Sequence, residues 1–184
     1  MKQVTFVFAT GASWLDRLVT SVTRSPWSHV ALRFDNENVL VEILAGRGFI
    51  IHPSGKKYDD WPISRSIHRQ ISEQSYVNML TLCRYWEQKQ VSYGYITGMV
   101  IGMKEFFGVN AASTLLAVFA GLVSNTMVCS ELMVNLWRQV EPDFLPGQDH
   151  RLVSPNEFYQ ALLQQFPEEI EDKIDKPPDC AYNC

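Results

Sequence analysis

His29-Val30-Ala31-Leu32-Arg33-Phe34-Asp35-Asn36-Glu37-Asn38-Val39-Leu40-Val41-Glu42-Ile43-Leu44 reads as two strands joined by a four-residue turn. Asp and Asn favour turns because their side chains bond their own backbone. The flanks are rich in Val, Leu and Ile, as strands are. An even number of turn residues sets Phe34 opposite Val39 and Leu32 opposite Val41, and opposed residues share a face. One face then carries Val30, Leu32, Phe34, Val39, Val41 and Ile43, all apolar; the other carries His29, Ala31, Arg33, Leu40, Glu42 and Leu44. A one-residue slip would exchange the faces of one strand, so this segregation specifies the register. In that register His29 lies opposite Leu44, with Glu42 as its diagonal neighbour. Diagonal Cα atoms are roughly 7–8 Å apart, within reach of a histidine–carboxylate hydrogen bond. Glu42 has two readings: it orients the His29 imidazole, or it pairs with Arg33 on a solvated face.

Outward from the hairpin, residues 4–9 alternate like a strand. Ser13 with Asp16 three residues later marks a helix start, and Trp14, Leu15, Leu18, Val19 and Val22 share one helical face before Pro26 stops it. Residues 48–52 and 67–69 are further strand candidates. Ser72 caps a helix over about 73–89 whose apolar face is Tyr76, Met79, Leu80, Cys83 and Trp86. A helix over about 127–139 carries Cys129, and Ser154-Pro155-Asn156-Glu157 is a capping box that opens the last helix. The chain reads as one domain over residues 1–166, followed by an acidic, proline-bearing tail over 167–184 that lacks the apolar content to pack.

Cys129 is the candidate nucleophile. At the start of a helix, a thiol meets the positive end of the peptide dipoles, which favours thiolate. His29 would lower its pKa further as an imidazolium and act as base and acid, with Glu42 as the third member. The competing reading is a small buried core residue, where most free cysteines reside. Cys83 fits that bland reading. His52 closes a strand just before Pro53 and reads either as a second histidine of the site or as a surface residue. Tyr93 and Tyr95 are expected to wall the groove, with aromatic core as the alternative, and Trp27 beside the histidine strand is expected to touch substrate.

Composition narrows the partners. The 184 residues carry a net charge of −4, with no basic stripe to bind nucleic acid. Cys83, Cys129, Cys180 and Cys184 lack the paired spacing of a metal site, and neither a metal nor another cofactor is implied. Cys180 and Cys184 could pair in an oxidising setting. The apolar start is short and alternating, unlike a secretory signal, so cytoplasmic synthesis is expected. The uncharged run over 106–130 is long enough for a bilayer, which needs roughly 20 apolar residues, yet Asn110, Ser113, Thr114, Ser124, Asn125 and Thr126 interrupt it. It reads as a buried helix or lid that packs beside the groove, with membrane association through 106–128 as the alternative.

The order Ser28-His29-Val30-Ala31, then Glu42, then Tyr93-Gly94-Tyr95, then Cys129-Ser130-Glu131-Leu132, and last Ser154-Pro155 resembles the circularly permuted NlpC/P60 papain-like family of bacteria and their phages. The resemblance spans residues 4–165. It implies an α+β papain-like fold, with an antiparallel sheet or small barrel packed against helices that include the Cys129 helix. It also implies a cysteine amidase or peptidase, acting on cell-wall peptides or another small peptide or acyl-amide. Residue by residue, it implies Cys129 as nucleophile, His29 as base and Glu42 as the polar third member. A lipid-directed thiol acyltransferase or phospholipase of the related lecithin:retinol acyltransferase-like type, and a binding module without turnover, are the competing expectations.

Overall fold

The strand that organises the sheet is β1 (Lys2–Thr10), whose residues from Val4 to Ala9 are all buried. The structure, a computed structural model, describes residues 1–11, 13–23, 25–53, 63–121 and 123–166. β1 pairs antiparallel with β2 (His29–Phe34) on one side and β5 (Ile63–Ile71) on the other. β3 (Val39–Leu44) and β4 (Gly48–His52) complete an antiparallel sheet of order β4-β3-β2-β1-β5. The hairpin register is the expected one, with Leu32 facing Val41 and Phe34 facing Val39. Asn38 closes the turn at φ 52°, a left-handed conformation that asparagine tolerates better than most residues. β5 is longer than the 67–69 segment expected from its apolar residues. Each residue of β1 finds a partner in it, from Lys2 with Ile71 to Thr10 with Ile63, so backbone pairing carries the strand through polar Ser64, Arg65 and Ser66.

Three helices cover one face of the sheet: α2 (Glu73–Gln88), α5 (Cys129–Trp137) and α6 (Pro155–Gln165). Their apolar stripes meet Phe6, Phe8, Leu32, Phe34 and Ile43 in a single core. Phe6 stacks edge-on against Trp137 and Phe158, with centroids 5.3 and 5.2 Å away. Full burial of each such ring stabilises the domain by about 1.5–3 kcal/mol. The helix starts are built as their sequences imply. Ser72 Oγ accepts the Ser75 N–H at 3.0 Å, while Ser154 and Glu157 cap each other at the start of α6. On the far face, Ala31 and Leu40 form a small cluster with Val7 and Ala9.

The uncharged run folds as two helices. α3 (Tyr95–Phe107) begins well before it, and α4 (Val109–Val118) follows a break at Gly108, where φ is 82°. Among the described residues no helix is long and apolar enough to cross a membrane. Both helices are held at their ends by β6 (Ser92–Tyr93) and β7 (Thr126–Met127), a short parallel pair. α3 is also fastened by Lys104, whose buried ammonium donates to Glu157 Oε1 at 2.7 Å and to the Leu152 carbonyl at 2.8 Å. Its other side receives α1 (Trp14–Thr23). There the missing side chain of Gly102 matters: a Cβ would come within 3.1 Å of Val22 Cγ1. Leu122, Cys180, Cys184 and the 167–184 tail lie outside the described residues.

Candidate active site

The parallel β6–β7 pair delivers the chain to Cys129. Val128 is extended at φ −102° and ψ 165°, so Cys129 is the first residue of α5. No Ser, Thr or Asp caps this helix. Glu131 reaches back to accept the Val128 N–H at 3.4 Å, and the Ser130 amide of the first turn hydrogen-bonds the cysteine side chain. Eight of the nine α5 residues are buried, and the Ser130 hydroxyl donates to the Val153 carbonyl, so the sulfur rides on an immobile element.

His29 opens β2 and is nearly buried, 7% exposed. Its Nε2–H donates to Glu42 Oε2 at 3.0 Å, and its ring also hydrogen-bonds the Cys129 sulfur. With Nε2 taken by the carboxylate, Nδ1 is the nitrogen presented to sulfur. Glu42 is fully buried on β3. The structure thus joins the three residues that the sequence singled out, and it favours the orienting reading of Glu42. Arg33 instead donates from Nε to Asp35 Oδ1 at 2.7 Å.

The carboxylate has a second histidine. His52 Nε2–H donates to Glu42 Oε1 at 2.6 Å, so His29, Glu42 and His52 form a continuous chain across β2, β3 and β4. The bland reading of His52 as a strand-end surface residue is corrected. The missed signal lies in the β3–β4 register: Glu42 faces Ile50 and Leu40 faces His52, which makes His52 a diagonal neighbour of Glu42. Gly48 sets up that register. At φ 74° it lets β4 begin where a Cβ would stand 2.7 Å from the Val91 carbonyl oxygen.

The electrostatics follow from these contacts. Burial works against a charged imidazole at His29, but hydrogen bonds and charge from Cys129 and Glu42 outweigh it and raise the pKa to about 9. Burial likewise opposes a thiolate at Cys129. The His29 hydrogen bond and charge, with the Val30 and Ser130 amides, overcome it and hold the thiol below its ordinary value. Both shifts favour the thiolate–imidazolium form of the pair. Cys83 is the contrast: burial among core side chains, with the Glu87 charge, pushes its thiol far up. Beside Cys129, burial followed by the charges of Cys129, Tyr95 and Asp16 raises Tyr93, which remains a phenol able to donate.

A cavity of about 430 Å³ opens at the sulfur, lined by residues of α1 and α3 together with Tyr93, Tyr95, Val128, Cys129 and Ser130. Tyr93 and Tyr95 stand where the sequence set them, their rings 5.0 Å apart and edge-on. Trp27 does not. It is a core residue packed between Phe8 and Tyr159, at centroid distances of 6.0 and 5.5 Å, and its expected contact with substrate is corrected. Trp27 precedes β2, so strand alternation does not set its direction, and its ring turns into the core. The expectation that the uncharged run packs beside the groove is also corrected for α4. Leu116 is buried against Val100, Ile101 and Val128, while Val118 is 70% exposed; the wall belongs to α3.

Glu131, in the same first turn of α5, has a different surrounding. Its Oε1 lies 3.6 Å from His150 Nε2, and burial raises its pKa to about 7 against the opposing Val128 amide and Arg151 charge. Among the described residues no group of three or more His, Cys, Asp or Glu side chains is arranged to hold a metal ion. Comparison with family models, characterised proteins and solved structures returns no match.

Proposed function

We propose that this chain is a cysteine-dependent hydrolase working through an acyl-enzyme at Cys129. The observation that carries the reading is the buried His29 ring, bonded on one side to the Cys129 sulfur and on the other to Glu42. A thiolate at a helix start, a histidine on a strand and a buried carboxylate behind it have the division of labour that nucleophilic acyl transfer requires. An antiparallel sheet packed against the helix bearing the cysteine, in the order histidine, carboxylate, cysteine, supports a permuted papain-like NlpC/P60 assignment.

In the proposed reaction the Cys129 thiolate attacks the carbonyl carbon of an amide or ester, forming a C–S bond. The tetrahedral oxyanion is met by first-turn amides of α5. His29 gives its proton to the departing nitrogen or oxygen as that bond breaks. Water then attacks the thioester while His29 takes its proton, and the thiolate leaves. Glu42 keeps Nδ1 aimed at the sulfur and stabilises the imidazolium throughout; His52 holds the second carboxylate oxygen. Rates should fall in acid as Cys129 takes up a proton, and fall again above about pH 9 as His29 loses the one it must donate.

Iodoacetamide labelling across a pH series tests the reading. Cys129 is expected to alkylate at pH 6 while Cys83 does not, and His29→Ala should move Cys129 labelling up toward the ordinary thiol range near ~8.5. Equal labelling of the two cysteines at every pH would sink it. Turnover by wild type and none by Cys129→Ala, a loss of at least ~10^4-fold, then separates an enzyme from a binding module on the same scaffold.

A further inference from the structure

The cavity at Cys129 is split by chemistry into a small polar end and a long apolar body. At the polar end stand the sulfur, Ser28, Ser130 and the Tyr93 hydroxyl. The body is formed by Val19, Val22 and Thr23 of α1, the last adding a hydroxyl, and by α3 from Gly98 to Phe106. Those α3 residues span about two turns, roughly 12 Å. Gly98 and Gly102 fall on the same side of α3 and remove the side chains that would otherwise fill the space. A Cβ at Gly98 would already touch Val128 Cγ1 at 3.8 Å and the Tyr93 hydroxyl at 3.9 Å. Among the described residues no Asp, Glu, Lys or Arg side chain lines the cavity.

Which half of a substrate belongs there follows from the position of His29. The imidazolium protonates the leaving group, so the leaving group must lie on the His29 side of the sulfur. His29 does not line the cavity, whereas Cys129 and Ser130 do. Ser28, just before His29, also lines it, so the leaving group is set toward that polar end and the acyl side of the attacked carbonyl toward the apolar residues of α3. Met99 and Phe106 line it and are also 67% and 68% exposed, which makes its outer rim apolar too.

We infer that the cavity is an acyl-chain site: the substrate is an ester, thioester or amide of an aliphatic carboxylic acid, whose hydrocarbon chain lies along α3 between Gly98 and Phe106. This rests on the thiol reading above and narrows it, since a polar cell-wall peptide would leave its amides unpaired against such walls. In each cycle the chain is carried as a thioester on Cys129 and released as the free acid when water cleaves the C–S bond.

The test uses p-nitrophenyl esters from acetate to palmitate. With wild type, kcat/KM should rise roughly three- to fourfold per methylene until the cavity is full, then level off. Gly98→Leu should lower the ratio of decanoate to acetate rates at least tenfold, and Met103→Trp, near the outer end, should shorten the chain at which the rise stops. Ratios within one variant are insensitive to partial misfolding. Independently of turnover, Cys129→Ala should bind dansyl-undecanoate with a fluorescence increase that laurate displaces. A flat chain-length profile together with no probe binding would overturn the acyl-chain site while leaving the thiol chemistry standing. Probe binding by a protein whose Cys129 neither alkylates at pH 6 nor turns over esters would keep the cavity's ligand and reject the reaction. Release of fatty acid from phosphatidylcholine vesicles, or only from soluble esters, distinguishes a lipid source from a dissolved one; either outcome supports the class.

Discussion

The two walls of the site are built on opposite physical plans. On the sheet side, His29, Glu42 and His52 are locked by hydrogen bonds of 3.0 and 2.6 Å across three neighbouring strands, with Glu42 fully out of water. On the helical side, α3 presents Gly98, Met99, Gly102, Met103 and Phe106, apolar residues whose side chains offer no hydrogen-bond donor. Methionine is unbranched and fills irregular space, whereas a buried carboxylate tolerates almost no displacement of its partners. On the proposed reading, proton transfer, which needs fixed geometry, falls to paired backbone, and apolar recognition, which tolerates rearrangement, falls to a helix.

The sharpest attack on this contrast is Glu42→Gln. The amide keeps the shape but cannot stabilise an imidazolium, and turnover should fall roughly a thousandfold with KM little changed. A loss confined to KM would mean the sheet side also selects substrate. His52→Gln is gentler. It retains a donor toward Glu42 but loosens its aim, and kcat should drop roughly tenfold. If His52→Gln matched Glu42→Gln, the two histidines would act as one unit and the carboxylate would not be the pivot.

Glu131 tests whether the same helix can carry a buried carboxyl that does no chemistry. Its pKa is about 7 in the folded chain against an ordinary 4.5, so its contribution is most favourable below pH 4.5 and is lost as pH rises toward 7. Glu131→Gln should therefore stabilise the protein at pH 8 by on the order of 1–3 kcal/mol, and leave it unchanged at pH 4.5. Thermal melts would show this as a rise of about 2–4 °C per kcal/mol at the higher pH only. A melting temperature that falls at both pH values would mean Glu131 is held charged by His150. The smallest effect belongs to the helical rim: Phe119→Asp, at a residue 37% exposed and outside the cavity, should shift stability and kcat by little, about 0.5 kcal/mol or less. Arg33→Ala should be equally quiet in kcat, because its partner is Asp35.

What could be read from the sequence divides along the same line. The hairpin's alternation was enough to set Leu32 against Val41, and the diagonal from His29 to Glu42 followed from that register alone. Caps at Ser72 and Ser154 announced α2 and α6 in the same local way. His52 was obscured because its role depends on a second register, set by Gly48 and an approach to Val91 from elsewhere in the chain. The cavity beside Cys129 was harder still. Val19 and Val22 meet Gly98 and Gly102 across long sequence separation, and a run without charges has no polar face from which to judge which side is covered. For the same reason the break at Gly108 and the outward turn of Val118 left no periodic mark.

The short parallel ribbon has one more consequence. Gly94 donates to the Met127 carbonyl at 2.8 Å and Ser92 to that of Asn125 at 3.1 Å, so the chain leaves and re-enters the domain at a single point. Everything between, α3 and α4 included, is an excursion whose two ends are stitched side by side. Such a segment is a cassette. It can be lengthened, shortened or exchanged at little topological cost, while the stitch keeps Cys129 facing His29. The fold thus separates the His29–Cys129 pair from the wall of the cavity beside it, and grafting a different segment onto the same ribbon would change that wall while keeping the pair.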